Sequence, residues 1–310
     1  MTKPFRFGVQ MSQPGAGLTW ADTARKVEDL GYSSLLLPDH FGDQLAVIPA
    51  MMNAADATTT LKVGALVFDN DYRHPVVLAK DIATVDLLSG GRVEFGLGAG
   101  WMRTDYDQAG MDYDAPGVRV SRFEEAITIC KGLFAEGSVH HDGTHYRING
   151  LDGLPKPATA GGPPLLIGGG AKRVLSIAGR EADIISINPN MVAGAVTAST
   201  AQDVMADSVD QKLEWVRTAA GDRYDDIEIS TTLFLVSVTD DADTAAEGIG
   251  SMFGVSGTDV LGSSILAIGS VEQIAEGLRA KRDRWDMSYI LCQGDALDAF
   301  APVVAALAGT

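Results

Sequence analysis

Eight short runs of apolar residues recur along the chain, separated by segments with helical periodicity or by loops. Continuous apolar runs predict strands buried on both faces, as in a parallel sheet covered by helices. Eight such strands can close on themselves, so the pattern predicts an α/β fold, a (β/α)8 TIM barrel. The predicted strands are Phe5 to Met11, Ser33 to Leu37, Leu61 to Phe68, Val93 to Leu97, Pro164 to Ile167, Asp183 to Ile187, Ile227 to Val238 and Met287 to Cys292.

The segment after the first strand illustrates how the helices are encoded. Apolar residues between Trp20 and Leu30 recur at helical spacing. Thr19 precedes them as a candidate N-terminal cap, and Gly31 follows them as a stop. This pattern predicts an amphipathic helix packed on the sheet.

Two stretches interrupt the alternation of strands and helices. Residues 139–147 flank an Asp-Gly pair, which predicts a hairpin, and a loop rich in proline and glycine follows. A second stretch is small and polar with little periodicity, which predicts a loop. We expect one domain over residues 1–310, with insertions near 136–163 and 190–206.

The composition is typical of a globular enzyme. Of 310 residues, 46% are hydrophobic and 21% are charged, and no apolar run approaches the roughly 18 residues of a membrane span. The net charge of −17 disfavours nucleic acid and membrane surfaces as partners. The chain enters its first predicted strand without room for a signal peptide, so we expect a cytoplasmic protein that acts on a small molecule.

The residues that commonly bind metals do not form a recognisable site. Cys130 and Cys292 lack the spacing of a zinc knuckle or a redox pair, and we interpret them as core thiols. His140, His141 and His145 lie in the predicted hairpin without carboxylates at ligand spacing. We therefore expect no metal.

Two glycine clusters follow the fourth and fifth predicted strands, at residues 96–100 and 168–170. Glycine lets backbone N–H groups approach a ligand closely, and a helix that begins just beyond favours an anion. Either cluster alone could simply form a tight turn. Because both lie at strand carboxyl ends, which share one rim of a barrel, the pair favours a phosphate-bearing ligand.

His40 directly follows the second predicted strand and is preceded by Asp39. A histidine at the carboxyl end of a barrel strand is well placed for general acid or base catalysis. Asp39 could orient the histidine, bind a polar ring edge or cap the following turn. His40 could also cap the loop, although its position favours a functional role.

Several of these segments together resemble the luciferase-like monooxygenase superfamily, and within it the F420-dependent oxidoreductases. They are residues 37–41 (LPDHF), 63–67 (VGALV), 72–75 (YRHP), 96–101 (GLGAGW) and 167–170 (IGGG). The resemblance implies a bacterial-luciferase-like (β/α)8 barrel with insertions, usually a homodimer, with coenzyme F420 or FMN in its mouth. The implied activity is hydride transfer between F420 and a small organic substrate. The alternatives are an FMN-dependent monooxygenase and a non-catalytic cofactor-binding barrel.

The resemblance also implies roles for individual residues. His40 would exchange a proton with the substrate, and Asp39 would contact the deazaflavin ring. The Ala65-Leu66 bond would be a cis peptide against the ring face. The remaining residues implied for cofactor binding are Gly98, Ala99, Gly100, Thr104, Gly168, Gly169, Gly170, Lys172 and Arg173.

The substrate pocket would include Trp101, Tyr106 and Asn188. In the sugar-phosphate dehydrogenase branch a glutamate follows the first glycine cluster and a tryptophan lies just after the histidine. This chain has Trp101 and Gln44 at those positions. The resemblance therefore does not favour a sugar phosphate as substrate.

Overall fold

Eight parallel strands close into a (β/α)8 barrel. The computed structural model describes residues 3–191, 194, 200 and 202–310, except the side chains of residues 252 and 253. In chain order, its strands are β1 (Arg6–Gln10), β2 (Ser34–Leu37), β3 (Lys62–Ala65), β4 (Phe68–Asp69), β5 (Val93–Gly98), β6 (Ser138–Asp142), β7 (Arg147–Asp152), β8 (Leu165–Gly169), β9 (Ile184–Ile187), β10 (Glu228–Leu233), β11 (Leu235–Val238), β12 (Leu266–Gly269) and β13 (Met287–Gln293). The barrel order is β3-β2-β1-β13-β10-β9-β8-β5, and pairing of β5 with β3 closes it.

Helices surround the barrel and bury its outer face. Those of the described residues are α1 (Trp20–Asp29), α2 (Val47–Ala57), α3 (Pro75–Ser89), α4 (Arg103–Ala109), α5 (Pro116–Phe134), α6 (Lys172–Glu181), α7 (Ala206–Ala220), α8 (Ala242–Phe253), α9 (Gly257–Gly262), α10 (Val271–Trp285) and α11 (Leu297–Leu307). The Thr19 side chain caps α1 by accepting the Asp22 N–H, as the sequence predicts. No helix of the described residues has the length and apolarity to cross a membrane.

The predicted strand Leu61 to Phe68 is broken by a cis peptide bond between Leu66 and Val67. The sequence-based placement, at Ala65-Leu66, is wrong by one residue. Ala65 still pairs with Leu37, and the Leu66 N–H donates to the Leu37 carbonyl, so the β2–β3 ladder continues through that peptide. After the cis bond, β4 pairs with β5 instead.

The predicted strand Ile227 to Val238 also divides into two. β10 stays in the barrel, whereas β11 leaves it after Phe234 and pairs in parallel with β12. We call residues 235–269, which comprise β11, α8, α9 and β12, the lateral unit. It has a small apolar cluster of its own around Val260 and Ile268.

The first predicted insertion contains an antiparallel hairpin of β6 and β7. Glu125 of α5 holds its turn, because the carboxylate accepts N–H groups of Thr144, His145 and Tyr146 at 2.9–3.2 Å. The second predicted insertion, near 190–206, lies partly outside the described residues.

An ion-pair network fills the amino end of the barrel. Arg6 of β1 donates to Glu94 of β5 at 2.6 Å and to both oxygens of Glu228 of β10 at 2.7 and 2.5 Å. Tyr289 of β13 donates to Glu94 at 2.9 Å, and the Arg6 guanidinium lies 3.4 Å from the centre of the Tyr289 ring. Because side chains alternate along a strand, the next inward residue of β1 is Gly8, whose absent side chain leaves room for Ser34 and Tyr289.

Replacing Arg6 should destabilise the barrel. Arg6→Met leaves the carboxylate of Glu94, which is 1% exposed, without its cation. We expect a loss of about 3 kcal/mol in the free energy of unfolding, measured by urea denaturation. Arg147→Met is the control, since the Arg147–Asp142 pair is 84% and 88% exposed and should contribute little. Equal stability of the two variants would contradict the structural role of Arg6.

Candidate functional site

A cavity of about 630 Å³ opens at the carboxyl ends of the barrel strands. Residues at the ends of β1, β2, β5, β8 and β9 line one side of it, and residues of the lateral unit line the other. Enzymes with this fold place their chemistry at this end of the barrel. The cavity is therefore the candidate active site.

A chain of amide groups forms part of the cavity floor. Gln293 donates to the Gln10 side chain at 2.9 Å, and Gln10 donates to the carbonyl of Leu66 at 2.7 Å. The cis peptide is thereby tied to β1 and β13. Val67, the second residue of the cis bond, packs against Gly98. A Cβ atom added at Gly98 would lie 2.5 Å from a methyl carbon of Val67. Gly98 thus makes room for the Val67 side chain that follows the cis bond.

His40 is held at the cavity wall by a carboxylate from another loop. Its Nδ1 lies 2.6 Å from Oδ2 of Asp105, which α4 supplies, and its ring makes an edge contact with Trp101 at 5.6 Å between centroids. Tyr72 donates to the same Asp105 oxygen at 3.0 Å. With Nδ1 engaged, Nε2 is the nitrogen left for exchange with a ligand.

Asp39 has a different partner. Arg73 binds both of its oxygens, at 2.5 and 3.0 Å, and the Asp69 N–H donates to one of them at 3.0 Å. Among the interpretations open from the sequence, orientation of His40 thus falls to Asp105 rather than to Asp39. The Asp39–Arg73 pair instead connects the loops that follow β2 and β4.

Asp69 is a buried carboxyl group on the cavity wall. It accepts the Asp71 N–H at 2.8 Å and the Tyr106 hydroxyl at 3.0 and 3.2 Å. Burial raises the pKa of Asp69 to about 7, and the negative charges of Asp71 and Asp39 add to the effect. Asp71 itself is neutralised by Arg122 at 2.7 and 3.0 Å.

The two glycine clusters meet at this cavity. Gly100 has φ +73°, and a Cβ atom there would lie 2.6 Å from a carboxylate oxygen of Asp69. A Cβ atom at Gly170 would lie 2.4 Å from the Asn188 carbonyl and 2.5 Å from the Asn190 nitrogen. Glycine is required at both positions because the backbone passes within contact distance of neighbouring groups.

Arg119 of α5 contributes a buried positive charge to the cavity wall. It is 3% exposed, stacks 3.9 Å from the Tyr113 ring centre, and donates to the carbonyls of Asp114 at 2.9 Å and Gly100 at 3.4 Å. Its Nε has no hydrogen-bond partner among the described residues. Carbonyl oxygens do not neutralise a guanidinium, so Arg119 adds positive charge to the cavity wall beside the Gly100 turn.

The sequence-predicted site residues divide into two groups. Those that line the cavity are Asp39, His40, Leu66, Gly98, Ala99, Gly100, Trp101, Gly168, Gly169, Gly170 and Asn188. Those that lie outside its lining are Ala65, Thr104, Tyr106, Lys172 and Arg173. The sequence did not predict three further residues at the site: Asp69 and Arg119, which line the cavity, and Asp105, which contacts His40.

The residues outside the lining have other partners or positions. Tyr106 is fully buried and bonded to Asp69, so it does not contribute to the substrate pocket as the sequence predicted. Arg173 donates to the Gly117 carbonyl at 2.9 Å and lies 3.6 Å from Glu124. Thr104 and Lys172 are exposed near the starts of α4 and α6. Arg119, rather than Lys172 or Arg173, lines the cavity.

No cluster of three or more His, Cys, Asp or Glu side chains suited to a metal ion occurs within the part of the chain that the structure describes. His141 of the hairpin contacts Glu125 at 3.2 Å. Cys130 and Cys292 are both buried, and burial raises the pKa of each thiol to about 12.

The protonation of Asp69 should make stability depend on pH. Its folded-state pKa of about 7 exceeds that of an unfolded aspartate, so the folded chain binds more protons between about pH 4 and pH 7. This contribution to stability is complete at low pH and is lost as the pH rises to about 7. Asp69→Asn should remove this pH-dependent loss of stability. The difference in the free energy of unfolding between the variant and the unmodified protein should grow with pH, to at most on the order of 4 kcal/mol.

Urea denaturation from pH 4 to pH 8 measures this difference. Asp107→Asn, at an exposed position of α4, controls for the removal of one negative charge. A stability difference that stays constant with pH would show that Asp69 is already ionised in the folded protein.

The chain was also compared with known proteins. A family model described as luciferase-like monooxygenase matches residues 3–258. The F420-dependent glucose-6-phosphate dehydrogenase of Microbacterium testaceum (strain StLB037) is 29% identical over 192 residues, which are 59% of this chain and 56% of that protein. The FMNH(2)-dependent dimethylsulfone monooxygenase of Pseudomonas putida is 30% identical over 138 residues, 44% of this chain and 38% of that protein.

A solved structure shares the fold over nearly the whole chain. The coenzyme F420 dependent tetrahydromethanopterin reductase from Methanopyrus kandleri superposes with a TM-score of 0.77 at 17% identity, covering 97% of this chain and 98% of that one. The alignments to the two curated relatives above span about half of their length or less. The chain belongs to the luciferase-like monooxygenase family, in which its relatives include both F420-dependent and FMNH2-dependent enzymes.

Proposed function

We propose that the protein is an F420-dependent oxidoreductase that transfers a hydride between the deazaflavin and a small organic substrate. The observation that carries the proposal is His40, which Asp105 holds by Nδ1 on the wall of a cavity that also contains the glycine clusters. A hydride transfer to a carbonyl, or from an alcohol, must be balanced by one proton on the oxygen, and a fixed imidazole can supply or accept that proton.

Each step of the proposed reaction has a residue in this chain that could perform it. The bound deazaflavin supplies the hydride chemistry at its C5 atom. His40 gives a proton from Nε2 when a carbonyl is reduced and takes one when an alcohol is oxidised. Asp105 fixes the orientation of the imidazole through Nδ1. Trp101 and Leu66, which also line the cavity, would help to exclude water.

Arg119 and the glycine clusters would hold the phosphate of the cofactor. The guanidinium lies beside the Gly100 carbonyl, and the second cluster, with Gly168 and Gly170, lines the same cavity. A phosphate there would be attracted by the charge of Arg119 and would accept backbone N–H groups of the glycine clusters. The charge of Arg119 would offset part of the repulsion expected from a protein of net charge −17.

An FMN-dependent monooxygenase is the second candidate, since FMN also carries a phosphate and the Pseudomonas putida relative is FMNH2-dependent. The F420 assignment is supported by longer alignments. They cover 59% of this chain for the dehydrogenase, and 62% and 95% for two 5,10-methylenetetrahydromethanopterin reductases. Two FMNH(2)-dependent dimethylsulfone monooxygenases align over 44% and 58% of it. A cofactor-binding barrel without catalytic activity would bind the same molecules without turnover.

Direct titration tests the choice of cofactor. We expect F420 to bind at micromolar concentration, with a change in its fluorescence, and to bind more tightly than FMN. Preferential binding of FMN would select the monooxygenase, and binding of neither would refute both assignments.

Arg119→Met should weaken F420 binding by about tenfold to hundredfold, the worth of a charge-assisted hydrogen bond. It should leave the affinity for the phosphate-free deazaflavin 8-hydroxy-5-deazariboflavin nearly unchanged. Arg173→Met is the matched control, because Arg173 is exposed and lies outside the lining. Equal losses for the two deazaflavins, or a greater loss with Arg173→Met, would remove Arg119 from the phosphate site.

His40→Ala should lower kcat by about a hundredfold or more, as loss of a general acid does. F420 affinity should change little, which separates an enzyme from a carrier. Asp105→Asn should give a smaller loss and an altered pH–rate profile, because it disturbs the imidazole without removing it. Turnover is followed at the absorbance band of oxidised F420 with a panel of secondary alcohols and ketones, and unchanged turnover of His40→Ala would exclude its catalytic role.

A further inference from the structure

We propose that the side of the cavity formed by the lateral unit binds the apolar body of an uncharged substrate. The proposal rests on the proposed function, because it assumes that the cofactor occupies the side with the glycine clusters. It adds the chemical class of the substrate, a neutral molecule with one reacting polar group and an aliphatic or aromatic remainder.

The wall in question is built where β11 leaves the barrel. Phe234 and Leu235 begin it, and α8, α9 and β12 complete it. All of its large side chains are apolar, and those that line the cavity are Phe234, Leu235, Ile249, Val255, Val260, Ile265 and Leu266. Val204 and Met205, which precede α7, extend the same apolar surface.

The charged groups that line the cavity lie outside the lateral unit. Among the described lining residues, those with titratable side chains are Asp39, His40, Asp69 and Arg119. Each follows a barrel strand or lies on α5, and none belongs to the lateral unit. A phosphate or carboxylate placed against the lateral unit would lose its hydration without gaining a cation from the described lining residues.

Two of the apolar residues present unusually large exposed surfaces. Phe234 is 50% exposed and Leu235 is 37% exposed, although both line the cavity. Apolar surface inside a concave site is typical of a wall that contacts an apolar ligand. A substrate whose polar group lies at His40 would bury its remainder on this surface.

The first experiment measures binding of a homologous series without any reaction. The methyl ketones from 2-butanone to 2-decanone are titrated calorimetrically into protein saturated with oxidised F420, which cannot reduce them. Each methylene buried on an apolar wall should raise the affinity by about fourfold until the wall is filled. An affinity that does not rise with chain length would overturn the proposal.

The second experiment tests charge with matched probes and matched variants. The anion 9-oxodecanoate has the same chain as 2-decanone and ends in a carboxylate, so it should bind at least tenfold more weakly. Leu235→Lys should reverse this preference by weakening the ketone and strengthening the anion. Val238→Lys is the control, because Val238 lies on the same strand with 41% exposure but does not line the cavity.

The outcomes separate this proposal from the proposed function. Failure of F420 to bind would refute the cofactor assignment, and the ketone series on the cofactor-free protein would still report on the wall. Binding of F420 with equal affinity for the ketone and the anion would refute the substrate class alone. Phe234→Lys, at the more exposed position, replaces Leu235→Lys should that variant not fold by circular dichroism.

Discussion

The ion-pair network of Arg6 with Glu94 and Glu228 determines which end of the barrel can hold a ligand. An eight-stranded barrel has an interior that side chains can fill completely. Here the guanidinium, two carboxylates and the Tyr289 ring fill the amino end. At the carboxyl end, glycines of β5 and β8 contribute no side chains to the interior, so space remains there. The cavity follows from this asymmetry in side-chain volume.

Around the cavity, each carboxylate has its own hydrogen-bond or ion-pair partner, and the residues that the structure describes there carry no general excess of positive charge. Arg73 binds Asp39, Arg122 binds Asp71, and His40 shares Asp105 with a tyrosine hydroxyl. Asp69 is bonded by a hydroxyl and an N–H group without a cation, and burial therefore favours its protonated form. Because these carboxylates have other partners, Arg119 donates its hydrogen bonds to the carbonyls of Asp114 and Gly100, and its positive charge remains on the cavity wall.

The architecture and much of the cavity were predictable because they depend on local patterns. Apolar runs marked the barrel strands, and residues directly after strands, such as His40, had to face one rim. The contacts that define the chemistry were not predictable in this way. Asp105 is 65 residues from His40, and nothing local indicates that α4 returns to it. The sequence around Arg119 does not distinguish it from an exposed helical arginine, and only the structure shows its burial. The apolar run 227–238 likewise does not indicate that the chain leaves the barrel at Phe234.

Because the chain leaves the barrel at Phe234, the residues that form the cavity wall of the lateral unit can vary among members of the family. The lateral unit has an apolar cluster of its own, formed by residues of α8, α9 and β12, whereas Val236 of β11 and Ala267 of β12 pack into the main core. Substitutions within α8 and α9 should therefore perturb folding locally and add independently to changes in the barrel. Selection could remodel one wall of the cavity while the strand ends around His40 and Arg119 stay as they are.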